Sequence, residues 1–100
     1  MNPLLRERSR QLKELCRRFG VEQLDVFGSA SRDDFQDQSD FAFVVRFRDT
    51  GPGYADRFLE MAESLEKVLG RRVDLLTERS LRNPIFVASI ARDRKTLYAA

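Results

Sequence analysis

The stretch from Val26 to Val45, VFGSASRDDFQDQSDFAFVV, holds most of the residues in this chain that could do chemistry. A short apolar run ends at Gly28-Ser29, ten residues separate Ser29 from Asp40, and a second apolar run follows from Phe41 to Val45. A glycine in a turn lets backbone N–H groups approach a phosphate closely. A carboxylate at the start of a strand can hold the divalent cation that accompanies phosphates. A further acid, Asp74, lies downstream in Val73-Asp74-Leu75-Leu76. A carboxylate inside a short apolar strand is costly unless a metal, a basic partner or solvent compensates it. The combination suggests phosphate and metal chemistry. Two residues beyond Asp40 stands Ala42, whose methyl group cannot ligate anything.

Taken singly, each feature has an ordinary explanation. Gly28-Ser29 could be a strand-ending turn, Ser39-Asp40 a polar lead-in to a strand, and Asp74 a charge guarding a sheet edge. Their order along the chain is what points to a site. The remaining chemistry is narrow. There is no histidine, which removes Ser-His and Cys-His nucleophiles and histidine metal ligation. Cys16 is the single cysteine, so no intrachain disulfide forms, and its setting beside Leu15 and Phe19 suggests a small buried thiol.

The elements that would position the site follow from periodicity. Leu4, Leu5, Leu12, Leu15 and Phe19 recur at helical spacing, with Pro3 at the start and Gly20 at the stop, and predict a helix from Pro3 to Phe19. Val21–Phe27 alternates as a strand, Leu24 and Val26 facing one way and Asp25 and Phe27 the other. Ala30–Phe35 reads as a short helical turn, with Ser29 as its N-cap. Asp40–Phe47 is the clearest strand. Phe41, Phe43, Val45 and Phe47 share one face, which must pack on helices; Asp40, Ala42, Val44 and Arg46 share the other. Residues 48–54 read as a loop. A helix from Ala55 closed by Gly70, a third strand over Arg72–Leu76, a helix from Leu81 to Ala91 and an extended tail at Thr96–Tyr98 complete the chain. The expected fold is α/β, a small mixed sheet covered by helices.

Composition agrees with a single domain spanning residues 1–100, at 42% hydrophobic and 34% charged. Eighteen basic residues against sixteen acidic ones leave a net charge of +2. That slight tilt admits anionic ligands such as nucleotides, but the basic runs read first as solvated helix faces, and direct nucleic-acid binding is not expected. No segment approaches the roughly 20 apolar residues of a membrane span, and the N-terminus is too charged for a signal peptide, so a cytoplasmic location is expected. A core this small leaves room for stabilisation by a partner or by oligomerisation.

Phe27-Gly28-Ser29, Asp40-Phe41-Ala42-Phe43-Val44-Val45 and Val73-Asp74-Leu75-Leu76 together resemble a minimal nucleotidyltransferase of the DNA polymerase beta superfamily. That family's pattern is a hydrophobic residue and Gly-Ser or Gly-Gly, a spacer, Asp-hydrophobic-Asp, then a third acid on another strand. Members often read Gly-Ser-x-Ala-Arg-Gly in the turn; here Gly28-Ser29-Ala30-Ser31-Arg32-Asp33 keeps the arginine. Ile90 and Leu97-Tyr98 resemble the family's closing segment, so the likeness covers nearly the whole chain.

The resemblance implies ATP as substrate and Mg²⁺ as cofactor, two ions in the family and one or none here. Gly28, Ser29 and Arg32 would bind nucleotide, while Asp40 and Asp74 would be the metal-binding, catalytic acids. It departs from the pattern at Ala42, where the family commonly has the aspartate that bridges both metals. Natural loss of activity, an engineered knockout, or replacement by another acid such as Asp37 or Asp25 would each account for it. The resemblance also implies a partner. Minimal members often serve as antitoxins that adenylylate a tyrosine of a helical HEPN-domain ribonuclease toxin. A non-catalytic binding module, neutralising its partner by occlusion with a vestigial nucleotide site, is the alternative class. Titration with ATP and Mg²⁺ separates an occupied site from a vestigial one.

Overall fold

The structure, a computed structural model, describes residues 1–32 and 40–100. Helix α1 (Pro3–Glu7) starts where Asn2 accepts the Leu4 N–H through Oδ1 at 2.8 Å, with Pro3 in the first turn. At Arg8 (φ −98°, ψ 11°) the backbone leaves helical geometry, and α2 (Ser9–Arg18) begins. The single predicted helix is therefore two. Arg8 Nε donates to the Val68 carbonyl at 3.4 Å, tying the break to a neighbouring helix, which periodicity alone does not reveal.

Strand β1 (Val21–Phe27) runs into a 3₁₀ turn over Gly28–Ala30. Strand β2 (Phe41–Phe47) is followed by α3 (Tyr54–Leu69), closed by Gly70 at φ +65°. Then come β3 (Val73–Thr77), a 3₁₀ turn over Glu78–Ser80, α4 (Pro84–Ala91) capped by Asn83, and β4 (Lys95–Ala99). The expected tail is thus a full edge strand. Among the described residues the strands form one mixed sheet in the order β3-β2-β1-β4. β1 is antiparallel to β2 and β4, while β2 and β3 are parallel and joined through α3, as a parallel crossover requires.

Strand alternation sorts the sheet into two faces. Leu24, Val26, Phe41, Phe43, Val45 and Leu75 are buried against Leu12, Leu15, Cys16, Met61, Leu65 and Leu69 from α2 and α3. The opposite face holds a smaller cluster, Phe27, Val44 and Ile90, with Ala42, Leu76 and Leu81 packed on it, and α4 supplies Ile90. No described helix is long and apolar enough to cross a membrane.

Candidate active site

Register places the carboxylates. Phe27 pairs with Ala42, and Ala42 pairs with Asp74, so all three side chains lie on the α4 face of the sheet. Asp40 immediately precedes β2, and the Phe41 N–H donates to the Arg72 carbonyl at 3.0 Å, which sets residue 40 beside the start of β3. Asp40 and Asp74 are then two residues apart along adjacent strands of one face. Strand rise and spacing put their Cα atoms about 8 Å apart. Both carboxylates are exposed, and Ala42 lies between them, half-buried.

The Gly28–Ala30 turn is adjacent, because β1 ends where β2 begins. Gly28 has φ +76°, a region that a side chain disfavours. The turn is pinned by its carbonyls. Ser31, fully buried, donates to the Gly28 carbonyl through both N–H and Oγ at 3.1 Å. The Asn2 N–H donates to the Ala30 carbonyl at 2.8 Å, and Lys95 Nζ to the Ser31 carbonyl at 2.7 Å. Ser29 is half-buried, and among the described residues neither its N–H nor its hydroxyl donates a hydrogen bond. It sits inside the 3₁₀ turn and not at the cap position, which Phe27 takes. Most of the expected Ala30–Phe35 turn lies outside the described residues. A Gly28→Ala change should cost about 1–2 kcal/mol in chemical denaturation. A Cβ there meets nothing within 4 Å, so the loss would come from the backbone alone.

Arg32 is exposed and ion-paired with Asp93, just beyond α4. Asp25 lies on the same face as Ala42, opposite Val44. Its partners hold it there. Arg94 Nε contacts its Oδ2 at 2.5 Å, and Gln23 Nε2 donates to both its oxygens at 3.0 and 3.1 Å. Arg94 also bonds Glu78. Burial pushes the Asp25 carboxyl up, but hydrogen bonds from Gln23, Arg94 and Thr96 outweigh it and hold the group below its ordinary value. An acid so held is already neutralised by a fixed cation. Asp37, the other candidate substitute, lies outside the described residues. Cys16 is fully buried, and burial pushes its thiol up to about 12, so it stays protonated and takes no part.

Among the described residues no group of three or more His, Cys, Asp or Glu could hold a metal. Two exposed aspartates at this spacing suit one magnesium-sized ion completed by phosphate oxygens and water. The methyl group at position 42 offers no ligand to a second ion.

The family model described as a nucleotidyltransferase domain matches residues 8–97. The chain belongs to that family. Its mixed sheet with the Gly-Ser turn is the fold of the minimal nucleotidyltransferases of the DNA polymerase beta superfamily. It is 42% identical over 73 residues to the protein adenylyltransferase MntA of Thermococcus cleftensis, across 73% of this chain and 72% of that one. A solved structure of a candidate minimal nucleotidyltransferase superposes with a TM-score of 0.77 at 30% identity, covering 95% of both chains. An MNT antitoxin, solved in complex with a tri-AMPylated Shewanella oneidensis HEPN toxin, shares the fold at TM-score 0.66 and 22% identity, over 95% of this chain and 72% of that one.

Sequence reasoning missed Lys95, Arg94 and Asp93, which brace the nucleotidyltransferase turn, Asp25 and Arg32 respectively. The run Arg92–Lys95 reads as a solvated charge cluster. The available signal was Asp25 itself, since an acid alternating into a covered sheet face demands a cation.

Proposed function

We propose that this chain is an antitoxin-type protein adenylyltransferase, binding ATP with Mg²⁺ and transferring AMP to a hydroxyl of a helical HEPN-domain partner, slowly as written because of Ala42. One observation carries the reading. The register Phe27–Ala42–Asp74 gathers a Gly-Ser turn and two exposed aspartates at one end of the sheet. The adenylyltransferase relative and the antitoxin seated on an AMPylated HEPN toxin support it.

In this reading Ser29 donates its N–H and hydroxyl to the terminal phosphates, and Gly28 lets the backbone come close. Asp40 and Asp74 hold the cation. Arg32, braced by Asp93, borders the phosphates. Bound Mg²⁺ would neutralise the charge that develops as pyrophosphate leaves. A cytoplasmic setting, where ATP is abundant, goes with this reading.

Ala42 favours a second reading. It packs against the Phe27, Val44 and Ile90 cluster as an ordinary core methyl group would. A chain settled into that packing could act by occlusion alone, with a vestigial nucleotide site. Titration with ATP and Mg²⁺, followed by NMR, tests the proposal. Weak, Mg²⁺-dependent binding is expected. Ser29→Ala and Asp40→Asn should each weaken it about tenfold, the usual worth of a hydrogen bond or contact to a charged group. The HEPN partner should gain AMP, seen by mass spectrometry. Absence of any shift at millimolar nucleotide would leave the occlusion module standing.

A further inference from the structure

The Gly28–Ala30 turn is held from behind by the last strand of the sheet. Strand β4 runs along β1 at one edge, and the pairing of Val26 with Lys95 sets Lys95 beside the end of β1, where the turn begins. Lys95 is exposed, and among the described residues it forms no ion pair. Its ammonium donates instead to the Ser31 carbonyl at 2.7 Å, across 64 residues of chain. A solvated lysine ordinarily leaves its ammonium in water, because ordering the long side chain costs entropy.

Peptide geometry carries this contact to the phosphate side. A trans peptide points its C=O and N–H in opposite directions, and among the described residues no peptide is cis. The Gly28 carbonyl takes both the N–H and the Oγ of buried Ser31 at 3.1 Å. The Ser29 N–H shares that peptide plane, so it points the other way, away from Ser31. Its aim is therefore only as fixed as Ser31. The Asn2 N–H on the Ala30 carbonyl holds Ser31 from one side, and Lys95 holds it from the other through the Ser31 carbonyl.

We propose that Lys95 is a positioning residue for the phosphate turn. Through the Ser31 carbonyl it fixes the peptide planes that aim the Ser29 N–H at the terminal phosphates of ATP, and it touches no phosphate itself. This rests on the function proposed above and adds how its site is kept in shape. A turn tied in this way is formed before the nucleotide arrives, so little ordering entropy is lost on binding. The competing role for Lys95 is that of a bare charge. A charge acting at a distance attracts phosphate less as salt rises, and it leaves the empty turn unaltered. A hydrogen bond inside the turn behaves in the opposite way on both counts.

The test is titration of the chain with pyrophosphate and Mg²⁺, followed by amide NMR, with Lys95→Met and Lys95→Arg alongside. Pyrophosphate is the probe because it is the part of ATP that the turn would hold. Thermal unfolding checks that each variant is folded at the temperature of the titration. Lys95→Met is expected to bind pyrophosphate about fivefold more weakly, at low and high salt alike. Without ligand, its Gly28, Ser29 and Ala30 amide signals should shift and broaden as the turn samples other orientations. Lys95→Arg should restore both properties, since a guanidinium also donates to a carbonyl. Equal affinity of Lys95→Met and the parent overturns the positioning role and leaves the proposed function intact. A loss that high salt removes, with the turn signals unmoved, makes Lys95 a bare charge and overturns it too, as does a loss that Lys95→Arg leaves unrestored. A parent chain that binds neither pyrophosphate nor ATP in the presence of Mg²⁺ overturns the phosphate-turn reading, and the positioning role with it.

Discussion

On the function proposed above, replacing Ala42 with aspartate is expected to raise the rate of AMP transfer to the partner by about 100-fold to 1,000-fold. The reason is geometric. Position 42 pairs directly with Asp74 and lies two residues from Asp40 on the same sheet face. A carboxylate there converges on both existing acids without backbone movement. It completes a three-acid set able to bridge two ions, and a positioned metal is worth several kcal/mol of transition-state stabilisation. Each 1.36 kcal/mol is about tenfold in rate, which gives the stated range. The substitution has a cost. Ala42 is half-buried beside Phe27, Val44 and Ile90, so an aspartate there should lower stability in the absence of Mg²⁺ and regain some of it with the ion. Single-turnover transfer from labelled ATP, measured for both chains with the same partner, decides the matter. Equal rates would mean that another acid carries the chemistry.

Arg94→Ala removes about 3 kcal/mol of stability at neutral pH, on the order of 15 °C in Tm for a domain of this size. Arg94 is the cation that meets the buried Asp25 and also bonds Glu78. Without it, Asp25 keeps Gln23 and Thr96 but becomes a buried charge with no counter-ion. The pH dependence has a definite sign. In the parent, Asp25 is held below its ordinary value, so its contribution is present above the unfolded carboxyl pKa, near 4, and is lost as pH falls through the folded value. In the variant, burial, which pushes the carboxyl up, is opposed only by the bonds from Gln23 and Thr96, so the carboxyl rises from its value in the parent. The difference between the two proteins should be largest at pH 7 and shrink below about pH 4. Urea unfolding at both pH values measures it. A difference independent of pH would mean that Arg94 acts through packing alone.

Local pattern alone made much of the fold and part of the site legible. Phe41, Phe43, Val45 and Phe47 could only be one buried face of a strand, since strand side chains alternate and four apolar rings must leave water. The same alternation placed Ala42 with Asp40, and Gly28 marked the turn, where its φ of +76° is the conformation glycine tolerates. These features depend on near neighbours in the chain, so the sequence contains them. What joins distant residues was decided by the tertiary structure. The parallel register that sets Asp74 beside Ala42 depends on how α3 returns the chain, and no local spacing encodes it. Asp25 became a paired structural acid only when β4 followed α4 back along β1 and delivered Arg94, 69 residues away. Lys95 reached the Ser31 carbonyl by the same route. The apolar run in α4 reads as core in sequence, because hydrophobicity signals burial. The fold encloses only Ile90 of α4, and Ile85 and Phe86 stand exposed, Phe86 edge-on to Phe27, because the small sheet offers α4 a single face to pack against.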